Sequence, residues 1–550
     1  MSQDPQPASS PKSIRWWPGV LIALLTLGAL IYLRLGETAD YQLLFMKSVL
    51  VTVVGGFLLW LWLVLASRLP GRTRLKIFAA TVALFLVGAG LFRIRGVSGN
   101  LVPILEFRWA GEGAYEEVRG AATTATSPYD FPQFRGPNRD GEVQGVTLAR
   151  DWQAEPPKEL WRRSVGEAWS GFAVVGDAAL TLEQVGDKEV VSRYDLTTGE
   201  PVWTHGIDAK YDSVIGGNGP RSTPTIHRGR VYVFGSQGDL RALNLADGEL
   251  IWHRRLRDDY GVKVPEWGFT SSPLIVPGET PEQDLVVVSL GDPNAPSPGE
   301  GGETAEKSPE AGESEAGNTD GKSLVALRAD DGSDVWAGGE DRVGYSSADL
   351  RTLAGVPQIL IFNGSSVASH DPADGRVLWT LDWPGDHPHV AQPLVLGEDR
   401  FIVSSGYGNG AKLFKPTVTT AEDGTQSWEI EEIWDSRRLK AKFAGFVEHG
   451  GKIYGLDDGI MTCVDPATGD RCWKKGRYGH GQILLVDDLI LVQTEKGELK
   501  LLEADPDGLV ELGSIQALEG KSWNTLTLSK NRLLLRNADE AVCYELPLAG

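Results

Sequence analysis

A recurring turn is the feature that most restricts how this chain can fold. At Tyr194–Trp203 an Asp, a Thr-Gly pair and a Trp follow one another as expected for a strand, a tight turn and a second strand. Asp can hydrogen-bond to its own turn, and Gly can take the left-handed backbone conformation. The phrase returns in units that end at Trp252, Trp336, Trp379 and Trp473. Such a recurrence, with strand-like sequence before each turn, indicates a repeat architecture.

Each repeat has the size and content of one propeller blade, about 40 residues with four strand candidates. In one unit these are Thr223–Ile226, Val231–Gly235, Leu240–Leu243 and Leu250–Arg255. Complete units end near Trp203, Trp252, Trp336, Trp379, Trp434, Trp473 and Leu512. The repeating tryptophans are predicted to dock neighbouring blades, a role assigned to Trp203, Trp252, Trp336, Trp379 and Trp473.

The two ends of the repeat region complete one another. Leu160–Val165 resembles the last strand of a unit whose beginning is missing, whereas Trp523–Leu546 supplies three strands and no fourth. Closure of a ring would pair them and remove the open sheet edge. We therefore predict an all-β, eight-bladed β-propeller of four-stranded blades with N-terminal strand closure, preceded by three transmembrane α-helices.

Three segments depart from the repeat. Lys415–Ser427 replaces the usual short turn and is predicted to be a loop, and the unit near Leu512 has Leu in place of Trp. Residues 292–321 are rich in Gly, Glu, Pro and Ser, so they are predicted to be a disordered acidic insertion in the third blade. Gly111–Pro128, ahead of the repeats, is predicted to be a flexible spacer.

Three apolar runs precede the repeats, at Trp16–Leu35, Leu43–Ala66 and Leu75–Ile94. Each approaches the roughly 20 residues that a membrane-spanning helix needs. A cleaved signal peptide is the competing interpretation of the first run, and the two later runs weaken it. The predicted organisation is a cytoplasmic tail (1–15), three transmembrane helices (16–95), a linker and lead-in (96–149) and the propeller (150–550).

Basic residues predict the orientation of these helices. Arg68, Arg72, Arg74 and Lys76 lie between the second and third runs, which places that loop and the N-terminus in the cytoplasm. An odd number of spans then puts the propeller on the periplasmic side of the cytoplasmic membrane. Arg93 and Arg95 run against this rule.

Charge and cysteine content narrow the function classes. The formal net charge of −21 argues against a nucleic-acid partner, which normally requires a basic face. The three cysteines form no CxxC motif, so zinc-ribbon and c-type haem sites have no support. Cys463 and Cys472 flank one turn and form a candidate disulfide, with two small buried thiols as the alternative.

The turn phrase Asp-x-x-Thr-Gly-x-x-x-Trp resembles the pyrroloquinoline-quinone (PQQ) repeat over about residues 150–550. That repeat builds the eight-bladed propellers of quinoprotein dehydrogenases and of non-enzymatic relatives such as the assembly lipoprotein BamB. Phe131–Gly141 and Glu266–Pro273 also look like a family of PQQ-like proteins abundant in planctomycetes. The resemblance implies either an enzyme that holds PQQ with Ca²⁺ or a binding module.

A ligand would meet the residues at the start of each unit, since the innermost strands of a propeller line its axis. Candidate axial residues are Trp169, Glu266, His387, His389 and His480. If PQQ is the cofactor, cofactor-binding roles fall to Arg221, which would pair with a carboxylate, and to Trp267 and Trp523, which would stack.

Simpler interpretations compete with several of these assignments. Glu266 is either a metal ligand or general base, or an ordinary loop carboxylate. His387 and His389 are favoured as a solvated or capping pair over a metal site, since no third ligand is evident.

The sequence favours a non-catalytic binding or scaffolding module for a protein or glycan partner. The alternative is a PQQ-dependent membrane dehydrogenase that oxidises an alcohol or sugar and passes electrons to a membrane quinone. An axial sensor of carbohydrate or polymer is a third interpretation. The adjacent cysteine pair of the alcohol dehydrogenase type and a haem motif are both missing, and no Glu, Asn and Asp set for Ca²⁺ falls in the expected blades.

Overall fold

The computed structural model describes residues 14–35, 41–99, 101–109, 115–291, 323–385 and 387–549. The predicted insertion 292–321, and the predicted tail apart from its last two residues, lie outside this range. The chain divides into two compact units, residues 1–111 and 112–550.

The first unit contains three long apolar helices, α1 (Trp17–Leu35), α2 (Tyr41–Leu61) and α3 (Gly71–Leu91), with a π-helical turn at Trp62–Ala66 that extends α2. The three candidate spans of 19, 23 and 21 residues are long and apolar enough to cross a membrane. The third helix ends before the predicted Ile94.

A hairpin follows α3, in which Phe92–Val97 pairs antiparallel with Pro103–Phe107. The linker was not predicted to contain a strand pair at this point.

The second unit forms eight four-stranded antiparallel blades in the described chain. Blades 1 to 4 comprise, in strand order, Ala173–Val175, Ala178–Val185, Lys188–Asp195 and Pro201–Asp208; Thr225–His227, Arg230–Phe234, Asp239–Asn244 and Leu250–Arg255; Leu274–Val276, Leu285–Ser289, Leu324–Arg328 and Asp334–Gly338; and Asp349–Leu353, Val356–Phe362, Ser366–His370 and Val377–Asp382. Blades 5 to 8 comprise Leu394–Leu396, Arg400–Ser405, Gly410–Thr420 and Gln426–Ser436; Phe446–His449, Lys452–Asp457, Ile460–Val464 and Arg471–Arg477; Gln482–Val486, Leu489–Gln493, Glu498–Glu503 and Glu511–Gln516; and Thr527–Ser529, Arg532–Arg536, Glu540–Glu545 and Lys158–Ser164.

The last blade confirms the predicted closure. Its fourth strand, Lys158–Ser164, comes from the start of the repeat region and pairs antiparallel with Glu540–Glu545. First strands of neighbouring blades contact one another at six of the eight junctions, blade 8 against blade 1 included, so these strands surround the axis. The predicted eight-bladed fold is confirmed.

Fourth-strand tryptophans join successive blades through one repeated contact. Trp252 of blade 2 donates its indole N–H to the Ala329 carbonyl of blade 3, at 3.1 Å. A Cβ on Gly332 of the same turn would lie 2.8 Å from that indole. Close approach of the indole and a positive φ of 74° both require glycine here. The same contact recurs at Trp161, Trp203, Trp336, Trp434 and Trp473.

Trp379 makes a different contact, because the hairpin of blade 5 is longer than those of the other blades and its Asp423–Gly424 turn lies at the hairpin tip. Its indole N–H donates to Gln358 of its own blade at 2.9 Å, and the ring stacks on Phe401 of blade 5 at 5.1 Å. Trp379 therefore still packs against the next blade, but its indole hydrogen bond stays within blade 4.

The departure predicted at Leu512 takes another form. Gly513, not Leu512, pairs with Leu501 in the register that tryptophan occupies in other blades. The indole of Trp152, from the lead-in, covers Gly513 and is buried. Trp152 therefore supplies, from outside the repeats, the tryptophan that the fourth strand of blade 7 lacks.

Two predicted loops are wrong. In blade 5, the pairing continues from Ala411↔Ser436 to Thr420↔Gln426, so Lys415–Ser427 is largely a β-hairpin. Its half-buried Trp428 and Ile430 pack against the apolar cluster shared with blade 4.

The described part of the predicted spacer is likewise ordered. The Thr204 N–H donates to the Val118 carbonyl at 2.9 Å, and the Ala122 N–H donates to Ala246 at 3.0 Å. These backbone bonds attach the segment to blades 1 and 2 despite its small, polar side chains.

Candidate binding face at the mouth of the propeller

The two ends of the axis differ in which loops they carry. Adjacent strands are antiparallel, so every first strand begins at the same end as the loops that join one blade to the next. We call this end the mouth. The opposite end, where first strands finish and the Asp-Gly turns lie, is the far end.

Each blade brings an aromatic or cationic side chain to the mouth, close to the start of its first strand. We call this set the mouth ring. Its members, from blade 1 to blade 8, are Trp169, Arg221, Trp267, Tyr345, His387, Phe443, His480 and Trp523. Most are half-buried, His480 is buried and His387 is exposed.

One part of the mouth ring is a continuous row of aromatic rings. The centroids of Trp169 and Trp523 lie 5.1 Å apart, those of Trp523 and Phe443 lie 5.0 Å apart, and those of Phe443 and His480 lie 5.5 Å apart. The Lys521 ammonium lies over both indoles, 4.4 Å from Trp169 and 4.1 Å from Trp523. The Trp523 indole N–H donates to the Glu495 carboxylate at 3.1 Å.

The Arg221 guanidinium uses its N–H donors to hold the adjoining loop. Its guanidinium donates to the carbonyls of Gly216, Gly217 and Gly219 at 2.8, 2.9 and 3.0 Å. It also lies 4.9 Å from the Tyr211 ring centre. Burial lowers the pKa of Arg221 to about 10.

The next members of the ring come from blades 3 and 4. Trp267 and Tyr345 have ring centroids 5.0 Å apart. Burial raises the pKa of Tyr345 to about 12. The Tyr211 hydroxyl donates to the Glu266 carbonyl, whereas the Glu266 side chain is exposed. The structure therefore places Glu266 as a loop carboxylate beside the ring.

The predicted histidine pair separates into two environments. His389 is fully buried, stacks on Phe362 at 4.3 Å and bonds through Nδ1 to the Asn363 carbonyl. Burial lowers the pKa of His389 to about 4. His387 is exposed and stacks on Tyr407 at 4.7 Å. The two imidazoles do not share one site.

Below the mouth, short polar residues connect neighbouring first strands. The Gly171 N–H donates to the Thr223 hydroxyl at 3.1 Å, and the Thr223 N–H donates to Ser272 at 2.9 Å. The Ser272 N–H donates in turn to Ser347 at 2.9 Å. These bonds satisfy backbone groups around the axis and hold the blades in register.

The lead-in closes the far end. Phe131 is 1% exposed and exchanges backbone hydrogen bonds with Val174 of blade 1, and the Ile226 N–H of blade 2 donates to Pro132 at 2.8 Å. Glu142–Val143 adds a parallel strand to blade 7.

Two buried arginines in left-handed backbone conformations extend this closure across the axis. Arg139 donates to the Ser272 and Pro273 carbonyls of blade 3, both at 3.1 Å, and Arg135 donates to the Phe446 carbonyl of blade 6 at 3.2 Å. The φ angles are 61° for Arg135 and 58° for Arg139. The lead-in thus spans opposite sides of the ring.

The predicted PQQ residues are engaged in other contacts in the structure. Arg221 donates to three carbonyls of its own loop, and Trp267 and Trp523 pack in different parts of the mouth ring. In the described ranges, no three His, Cys, Asp or Glu side chains converge as metal ligands. A tricarboxylate and its Ca²⁺ would need such cations and oxygens.

The candidate disulfide residues lie on adjacent strands of blade 6. Cys463 is buried and pairs with Trp473, which leaves exposed Cys472 at a bulge. Burial, followed by a hydrogen bond with Cys472, raises the pKa of the Cys463 thiol to about 12. A bridge between them stays a prediction.

The sequence analysis missed several residues of this face. Tyr345 precedes Ser346 as Trp169 precedes Ser170, so alignment of the unit starts would have found it. Lys521 and Glu495 do not belong to the repeated pattern. Their contacts with Trp523 arise from the fold, so the sequence alone does not reveal them.

Comparison with known sequences supports the repeat assignment. The profile of the family described as "Outer membrane protein assembly factor BamB" matches residues 144–291 and 302–475, more than half of the chain. This chain belongs to the BamB family. A BamB from Shewanella oneidensis is 23% identical over 335 residues, which cover 56% of this chain and 78% of the relative.

Solved structures similar to this BamB-family chain include a BamB and an alcohol dehydrogenase. BamB from Moraxella catarrhalis has 14% identity and a TM-score of 0.46, covering 71% of this chain and 100% of that one. Quinohemoprotein alcohol dehydrogenase from Comamonas testosteroni has 12% identity and a TM-score of 0.40, covering 78% and 82%.

Proposed function

We propose that this protein is a membrane-anchored, extracytoplasmic binding module that holds a protein partner at the mouth of its propeller, without catalysis of its own. The observation that carries the proposal is the mouth ring, to which every blade contributes, opposite an end closed by the lead-in. Aromatic and cationic side chains that are half-buried rather than fully packed are typical of binding surfaces. A scaffolding role also agrees with the assembly factors in the family.

The exposed loop beside the ring supports this use of the mouth. Val214 and Ile215 are 54% and 52% exposed on the loop that Arg221 braces. A braced loop presents these apolar side chains at a low entropic cost of ordering, which favours protein contact. The basic residues between the second and third helices support the extracytoplasmic side.

Site-specific photo-cross-linking in cells tests this proposal on the full chain. A photoreactive residue replaces Ile215 at the mouth or, as a matched control, Leu250, an exposed aliphatic residue on an outer strand (48% exposed). We expect one discrete protein adduct from position 215 and none from position 250. Adducts at 250 alone would move binding to the blade edges and overturn the mouth assignment.

The PQQ-dependent dehydrogenase is tested separately by calorimetry of the detergent-solubilised full chain with PQQ and Ca²⁺. We expect no saturable binding, because the Arg221 guanidinium already serves three carbonyls. Calcium-dependent micromolar binding that weakens in Arg221→Ala would replace the proposal with an enzyme.

A further inference from the structure

The indoles of Trp169 and Trp523 in the mouth ring form a cage around an ammonium group, and that group is the side chain of Lys521 in the same chain. The Lys521 ammonium lies 4.4 Å from the Trp169 ring centre and 4.1 Å from that of Trp523. Both distances fall well within the roughly 6 Å over which a cation is attracted to an aromatic face.

The walls of this cage are fixed in place. Trp523 donates its indole N–H to Glu495 at 3.1 Å and packs on Phe443 at 5.0 Å. Trp169 packs against Gly217, whose φ of 79° and missing Cβ allow the close approach. Arg221 holds the loop that carries Gly217, so this side of the cage is braced.

The electrostatic surroundings favour a cation. The Glu495 carboxylate accepts the Trp523 indole N–H, so a negative charge lies at the edge of that ring. The whole chain carries a formal net charge of −21, which raises the local concentration of cationic ligands. An anionic ligand would gain from Lys521 but would meet Glu495 and two electron-rich ring faces.

The lysine that fills the cage is well placed to leave it. Lys521 is half-buried and follows Gly520, a residue with a φ of 89° and no atom within 4 Å of its Cβ direction. A long side chain beside an open turn can move into solvent without disturbing the strands. The occupant is therefore replaceable, unlike the indoles.

We propose that Trp169, Trp523 and Glu495 form a binding site for an organic ammonium group, and that Lys521 occupies this site in the unliganded protein and competes with the ligand. The ammonium comes either from a lysine side chain or from a choline-type group. This inference rests on the proposed function, since it names the chemistry that the mouth recognises.

Calorimetry on the detergent-solubilised full chain tests the cage with two pairs of probes. Choline is compared with its neutral carbon analogue 3,3-dimethylbutan-1-ol, and Nα-acetyl-lysine amide with Nα-acetyl-norleucine amide. We expect Lys521→Ala to bind the ammonium member of at least one pair about tenfold more tightly than the wild type does. The neutral members should gain nothing, and the preferred pair identifies the source.

Three control variants separate the cage from general effects on folding. Lys530 lies 6.0 Å from the Tyr129 ring centre, so Lys530→Ala removes another lysine–aromatic contact and should leave ammonium affinity unchanged. Trp169→Ala and Trp523→Ala, each in the Lys521→Ala background, should lose at least tenfold in affinity.

Equal binding of charged and neutral probes, or no gain in Lys521→Ala, would overturn the cage. Position 215 would still cross-link in that case, so failure of the cage and failure of the mouth as a protein-binding face are distinguishable.

Discussion

The mouth and the far end of this propeller are built on the same eight first strands, yet their side chains are used differently. At the far end, Phe131, Arg135 and Arg139 are buried and tie opposite blades together. At the mouth, Trp169 and Trp523 stay half-buried, with a lysine over them. The lead-in therefore covers the axis at the far end, whereas the side chains at the mouth remain partly exposed to solvent.

The largest expected effect comes from one substitution made at both ends. Phe131→Ala should lower the free energy of unfolding by about 3–5 kcal/mol, because it empties a fully buried site. Phe443→Ala at the mouth should cost less than about half of that, since its ring is only half-buried. Denaturant unfolding of the full chain, followed by near-ultraviolet circular dichroism, measures both. Equal losses would contradict the division of roles.

The two mouth-side histidines sharpen the comparison through pH. Burial lowers the folded-state pKa of His389 from 6.5 to about 4. Between these two values the unfolded chain binds a proton at this position and the folded chain does not. Stability should therefore fall as pH falls through this window, by about 2 kcal/mol between pH 7 and pH 5 from this residue.

Variants at the two positions isolate that contribution. His389→Gln should flatten the pH dependence of the unfolding midpoint, whereas His387→Gln, at the exposed position, should preserve it. A His389→Gln protein with the wild-type pH profile would show that burial of this imidazole is not the cause.

A pair of glycines gives the smallest expected effect. Gly332 at the far end and Gly408 at the mouth both have positive φ angles, 74° and 88°. A Cβ at Gly332 meets the Trp252 indole at 2.8 Å, whereas one at Gly408 meets nothing within 4 Å. Backbone strain is shared, so Gly332→Ala should cost about 1–2 kcal/mol more than Gly408→Ala. Equal shifts in unfolding midpoint would show that the indole contact is not limiting.

The sequence predicted the repeat because its signal is local. A turn that needs Asp and Gly, followed by Trp at a fixed offset, is visible in five units. The incomplete first and last units that close the ring are visible as well. Blade count, strand order and closure follow from these features alone.

Contacts between distant segments of the chain could not be predicted from this local pattern. Trp152 fills the place over Gly513, although it belongs to no repeat. His387 and His389 alternate as strand residues would, yet His387 stacks on Tyr407 and His389 stacks on Phe362. Arg221 suits a carboxylate by charge, but its own loop supplies the acceptors.

The central claim, an accessible mouth opposite a closed far end, is tested most directly by thiol labelling of a matched pair. Thr225, next to the Ile226 contact with the lead-in, is 2% exposed and donates to the Pro273 carbonyl at 2.6 Å, whereas Thr270 at the mouth is half-buried and donates to the Tyr345 carbonyl at 3.0 Å. Each is replaced by Cys in a Cys472→Ser background, where the buried Cys463 and Cys543 serve as protected references.

We expect the Thr270→Cys thiol to react with a maleimide in native full-length protein, and the Thr225→Cys thiol to react only as fast as the protein unfolds. Equal labelling of both thiols without denaturant would contradict the account.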